Sequence, residues 1–144
     1  MLNSLSIGFE SAGAIVELAV LGDLQAALRY GDVLAIQVRA IAQGIHARSD
    51  MSCRFTALWA FAQELADIQL GHAIEARLSA EGQRVSTVLV MGQGAGKGAT
   101  LSVLGCPSDE RLMFHIQDWV LSSADLQELR TWCETVLGYR ADEQ

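Results

Sequence analysis

One segment has an apolar period that only a helix accommodates. Phe55, Leu58, Trp59, Ala62, Leu65 and Ala66 recur at spacings of three and four, which lines them along one side of an α-helix. Arg54, Gln63, Glu64 and Asp67 fall off that stripe. Ser52 stands where an N-cap oxygen would meet free amides, and Gly71 where a left-handed C-cap residue belongs. The spacing predicts a helix over residues 53–68, with the Phe55 and Trp59 rings in the core.

On both sides of this helix the period falls to two. Residues 5–10 read as a short strand, Ser11-Ala12-Gly13 as a turn, and residues 14–21 as a second strand rich in β-branched and aliphatic side chains. Gly22-Asp23 breaks that run. Residues 24–43 admit two readings. A strand over 33–42 puts Leu34, Ile36, Val38 and Ala40 on one face, with Gln37 and Arg39 on the other. A helix from Asp23 through Gln43 is the alternative, because alanine is frequent there and favours helices. Residues 45–51, with His46, Arg48 and Asp50, read as a polar loop. After the helix, residues 73–78, 85–91, 100–104 and 112–116 read as strands. The first sets Ile74, Ala76 and Leu78 against Glu75 and Arg77. Residues 80–83 read as a turn, and Pro107 keeps the 105–110 segment out of any ladder.

A second helix is predicted over 122–137. Ser122 and Asp125 have the spacing of a reciprocal capping pair. Leu126, Leu129, Trp132 or Cys133, and Val136 line one face, and Gly138 is expected to end it. Residues 139–144 form a polar tail. Strands grouped in runs, without βαβ alternation, predict an α+β fold. The expectation is one domain over residues 1–144, a mainly antiparallel sheet with two principal helices packed on it. No internal repeat or linker stands out.

Charge and hydropathy narrow the function classes. The net charge is −7, which disfavours a nucleic-acid partner because phosphate binding needs clustered Lys and Arg. No run of about eighteen apolar residues occurs, and Met1-Leu2-Asn3-Ser4 lacks a basic signal-peptide start. The expectation is a soluble, cytoplasmic protein with no membrane partner. Cys53, Cys106 and Cys133 lack metal or redox spacing and have apolar neighbours, so they read as reduced core residues.

The motif that draws the eye is the glycine loop, Gly92-Gln93-Gly94-Ala95-Gly96-Lys97-Gly98. A phosphate-binding loop needs GxxxxGK, then Ser or Thr, then a helix. Here Met91 stands where the first glycine belongs, Gly98 follows Lys97, and a strand pattern comes next. Gly94, Gly96 and Ala99 match a dinucleotide fingerprint in letters only, and Asp118 falls near its acidic position by chance. The loop reads as a hairpin turn, in which glycine reaches positive φ at little cost. His46, His72 and His115 have no metal-ligand spacing. No GxSxG or other nucleophile context occurs. Glu64 and Asp67, at i and i+3, form a carboxylate pair of the kind that does acid–base work, but a solvated helix face accounts for them. No catalytic residue, metal ligand or cofactor is assigned.

The element order and the closing Phe114-x-Ile116 … Leu121-Ser122-Ser123-x-Asp125-Leu126-x-x-Leu129 pattern resemble the small immunity-like proteins of bacterial contact-dependent toxin systems, and related uncharacterised bacterial domains. The likeness runs over residues 31–44, 55–68, 74–78, 85–104 and 114–137. It implies an architecture and carries over no residue-level role. The expected function is non-enzymatic protein binding, neutralising a basic partner through an acidic surface. Asp32, Glu64, Asp67, Asp109 and Glu110 are its candidate residues. Two alternatives stand: a small-molecule or nucleotide binder using loop 92–98, and a subunit of a homo-oligomer or larger assembly that covers an exposed strand edge.

Overall fold

A computed structural model describes residues 6–11, 13–20, 33–80, 85–92, 98–105 and 114–142. Four strands, β1 (Ser6–Ser11), β2 (Ala14–Val20), β3 (Val33–Ala42) and β4 (Ile45–Arg54), are followed by helix α1 (Phe55–Gln69). Four more, β5 (Glu75–Ser79), β6 (Thr87–Gly92), β7 (Ala99–Gly105) and β8 (Phe114–Leu121), lead to helix α2 (Ser123–Asp142). Each set of four forms an antiparallel sheet in simple sequence order. The fold is α+β, and its two halves repeat one order of elements without repeating a sequence pattern. No described helix is long and apolar enough to cross a membrane.

The period-two runs form the strands because alternate side chains enter one core. Val16, Leu18 and Val20 of β2, Leu34, Ile36 and Val38 of β3, and Leu101 and Val103 of β7 are all buried. Residues 33–42 are a strand, which resolves that part of the ambiguous segment; residues 21–32 lie outside those described.

The expected polar loop at 45–51 is instead the first part of β4. Gln43 (φ 49°) and Gly44 (φ 80°) both lie in the left-handed region and turn the chain in two residues between the paired Ala42 and Ile45, as a type I′ hairpin requires. His46, Arg48 and Asp50 are polar because they face outward, while Ser49, Met51 and Cys53 face the core.

β4 runs into α1 without a loop, so Ser52 sits on the strand and does not cap. Arg54 takes the N-cap position with no side-chain cap bond. The buried positions of α1 are Phe55, Leu58, Phe61, Ala62, Leu65 and Ile68. Trp59 is 58% exposed, contrary to the expectation of a core ring, and Phe61 fills the core position. Each large apolar side chain buried here contributes roughly 1.5–3 kcal/mol. At the far end Gly71 (φ 77°) takes the left-handed position. Gly71 N–H donates to the Ile68 carbonyl at 3.1 Å and His72 N–H to that of Asp67 at 2.8 Å, the paired bonds of a Schellman end.

The capping pair of α2 is present. Ser122 Oγ accepts from Asp125 N–H at 3.1 Å, and the Asp125 carboxylate accepts from Ser122 N–H at 3.0 Å. Gly138 does not end the helix, which continues to Asp142. The 138 backbone has no positive φ and no crowding neighbour, so nothing forces a break there. The helices meet through Gln69, which bonds Gln127 at 3.0 Å and accepts from Arg130 at 2.9 Å. β4 and the segment leading into β6 meet through buried hydroxyls, Ser49 Oγ and Ser86 Oγ, 2.9 Å apart.

Candidate functional site

The five acidic candidates do not form one described cluster. Asp32, Asp109 and Glu110 lie outside the described residues. Glu64 is half-buried, and its carboxylate accepts from the Arg77 backbone N–H at 3.3 Å, stitching α1 to β5. Asp67 is exposed and leaves its side chain to solvent. The pair at i and i+3 therefore divides its roles: one carboxylate satisfies a strand amide and the other faces outward.

A wider acidic surface exists where single residues did not reveal it. Among the described side chains, the two helices carry the carboxylates Glu64, Asp67, Asp125, Glu128 and Glu134 against Arg130 alone. Among the described side chains, the eight strands carry Glu10, Glu17, Asp50 and Glu75 against Arg39, Arg48, Arg54 and Arg77. The acid excess thus belongs to the helices, and the strands are nearly balanced. On the outer face of the first sheet much of that balance is local. Arg39 lies 3.9 Å from Glu17 and donates to the His46 ring at 3.3 Å, while Gln37 donates to Asp50 at 3.5 Å.

The exposed side of α1 is also apolar. Trp59 and Leu70 (63% exposed) lie eleven residues apart, which at about 100° per residue brings them to the same side of the helix, roughly 16 Å apart. Thr56, Ala60 and Gln63 share that side, with Asp67 as its one charge. The exposed Trp59 ring leaves apolar area in water that a partner would gain by covering. Sequence periodicity missed it: Trp59 borders the buried stripe, and only the packing of Phe61 and Ile68 shows which edge is inside.

The other candidates resolve differently. β6 and β7 pair antiparallel with Gly92 opposite Ala99, so the glycine loop joins neighbouring strands; residues 93–97 lie outside those described. A strand occupies 99–105, where a phosphate loop would need a helix. Cys53 and Cys133 are buried, and Cys106 lies outside the described residues. Burial pushes the Cys133 thiol from 9.0 up to about 12, with Glu134 and Cys53 adding to the effect. A thiol held protonated in this way is a poor nucleophile. Among the described residues no three His, Cys, Asp or Glu side chains gather into a metal-binding group.

Comparison with known proteins places the fold and little else. No protein-family model matches the chain, and no curated protein does. Among solved structures, the chain is similar to the plant transcriptional regulator PBF-2, with a TM-score of 0.55 and 13% identity over 95% of this chain and 83% of that one. At that identity the likeness concerns the arrangement of strands and helices, and brings no residue across.

Proposed function

We propose that this protein is a non-enzymatic protein-binding module that neutralises a basic partner, in the manner of the immunity-like proteins its sequence resembles. The observation that carries this reading is the exposed side of α1, where Trp59 and Leu70 lie in solvent with Asp67 as their one charge. Unmatched acid attracts a basic partner, and a tryptophan supplies the desolvated anchor that interfaces concentrate their energy in.

PBF-2 is a transcriptional regulator. A nucleic-acid partner here would ask for clustered cations, yet Arg39 is engaged by Glu17 and the β4 arginines alternate with Asp50.

The test starts from the neighbouring genes. Where a toxin-like reading frame lies beside this one, the two proteins are co-expressed and the purified pair is titrated across a salt series; a neighbourhood without one removes the immunity reading. Binding should weaken as salt rises, and Trp59→Ala should weaken it by about tenfold or more. Asp67→Lys should also weaken it, without loss of folding. Unchanged affinity in both variants would remove this surface from consideration. Thermal stabilisation by a nucleotide, abolished by Lys97→Ala, would replace the whole reading with the glycine-loop alternative.

A further inference from the structure

Among the described residues, the edge of the first sheet beside α2 carries no further strand. β1 pairs with β2 on one side and has no strand on its other side among the described residues. Its outward N–H and C=O groups are therefore a template for another chain. Against that edge α2 leaves a groove of about 410 Å³. Ser6 and Ile7 form one wall. Gln127, Thr131 and Thr135, at i, i+4 and i+8 along α2, form the other. Trp132, nearly buried, lies beneath. Glu128 is the single charged residue among those lining the groove, and no described cation meets it.

The other three edges are less suited to strand addition. β4 presents Arg48, Asp50 and Arg54 outward at alternate positions, the charged pattern that deters pairing. β5 is packed by α1 and tied to it through Glu64. β8 pairs with β7 through a register shift between Leu101 and Val103, and such irregularity interrupts a ladder. Among the described residues β1 combines an unpaired edge with an adjoining groove.

We propose that this groove binds an extended peptide segment of a partner protein, which adds as a further strand to β1. Main-chain hydrogen bonds to the edge supply affinity, and alternate side chains supply specificity. With period two, every second side chain of the peptide enters the groove and packs on Ile7 and Trp132, while a lysine or arginine meets Glu128. The six residues of β1 set the length of the bound segment, about 20 Å of extended chain. The volume is that of a site for side chains rather than for a folded surface. Trp59 lies on α1 and is not among the residues that line this groove.

The experiment is selection of a phage-displayed random peptide library on the full chain, with affinities of the enriched peptides measured by fluorescence anisotropy. Enriched peptides should alternate apolar residues and carry Lys or Arg. N-methylating alternate amides on the β1-facing edge should weaken them about tenfold, as lost main-chain bonds would. Thr131→Arg and Thr135→Arg, both at exposed helix positions, should do the same by filling the groove. Glu128→Lys should shift the selected peptides toward Asp and Glu, and Trp59→Ala should leave affinity unchanged. The proposal is overturned if no peptide is enriched, if binding ignores N-methylation and both arginine variants, or if Trp59→Ala abolishes it.

Discussion

Replacing Gly98 by alanine should damage the fold more than its place in a glycine-rich loop suggests. Its φ is +82°, and an added Cβ would stand 2.5 Å from the Leu121 carbonyl oxygen. That oxygen is main chain, at the point where β8 pairs with β7 and just before the Ser122 cap of α2, so it cannot swing aside as a side chain would. A left-handed alanine costs about 1–2 kcal/mol. Relieving the contact shifts the end of a ladder, for a further cost of roughly 1–2 kcal/mol. The expected loss is about 2–4 kcal/mol, or roughly 6–12 °C in Tm for a chain of this size. Gly138→Ala is the control with the opposite sign. It lies inside α2 with no positive φ and open space at the Cβ position, and alanine there should stabilise by roughly 0.5–1 kcal/mol. Urea unfolding followed by circular dichroism measures both. A Gly98→Ala protein within about 0.5 kcal/mol of the parent, or a destabilised Gly138→Ala protein, would refute the reasoning.

Three further predictions concern stability. Phe61→Ala should cost about 3–5 kcal/mol by opening the core, whereas Trp59→Ala should stay within about 0.5 kcal/mol; the reverse order in chemical denaturation would restore the sequence-based core assignment. Ser122→Ala should cost about 1 kcal/mol by leaving the Asp125 amide without its cap, read as a shift in urea midpoint at unchanged slope. Cys133 should make stability fall at high pH. Its folded thiol keeps a proton to about 12 while the unfolded thiol ionises near 9.0. The unfolded state therefore gains as pH climbs through that interval. Unfolding midpoints at mildly and strongly alkaline pH should diverge in the parent and converge in Cys133→Ala.

Most strands of this fold were legible because burial on one face imposes strict alternation, as in the buried Leu34, Ile36 and Val38, although β8, expected over 112–116, runs from Phe114 to Leu121. β4 was not, because its inward residues include Ser49 and its outward ones are charged. A buried serine matched by a hydroxyl from another strand region carries no local signal; it needs Ser86, 37 positions away. The N-terminal boundary of α1 was misplaced for a related reason, since Ser52 looks like a cap until β4 is known to run through it. Gly138 misled because a glycine signals a helix end only where the backbone turns left-handed, as at Gly71 and not at 138. The candidate surface was legible in sign but not in place. Net charge announced an acidic protein, but the strands' near balance and the helices' excess appear only when the outward positions of both are known.

That division of charge has a kinetic consequence. Exposed charges act over about 8 Å at physiological ionic strength, so the carboxylates of α1 and α2 bear chiefly on how fast a basic partner arrives. Trp59 acts only in contact, by losing water against the partner, and so bears on how fast the complex comes apart. Glu64 stands apart from both, because its carboxylate is engaged with the Arg77 amide; Glu64→Gln keeps an acceptor there and should change neither rate much. With the proposed partner, Asp67→Lys should lower kon and flatten its salt dependence while leaving koff nearly unchanged. Trp59→Ala should raise koff by about tenfold at nearly constant kon. Surface plasmon resonance at several salt concentrations separates the two. If Asp67→Lys alters only koff, its charge is desolvated in the complex and the partner does not reach this surface by steering.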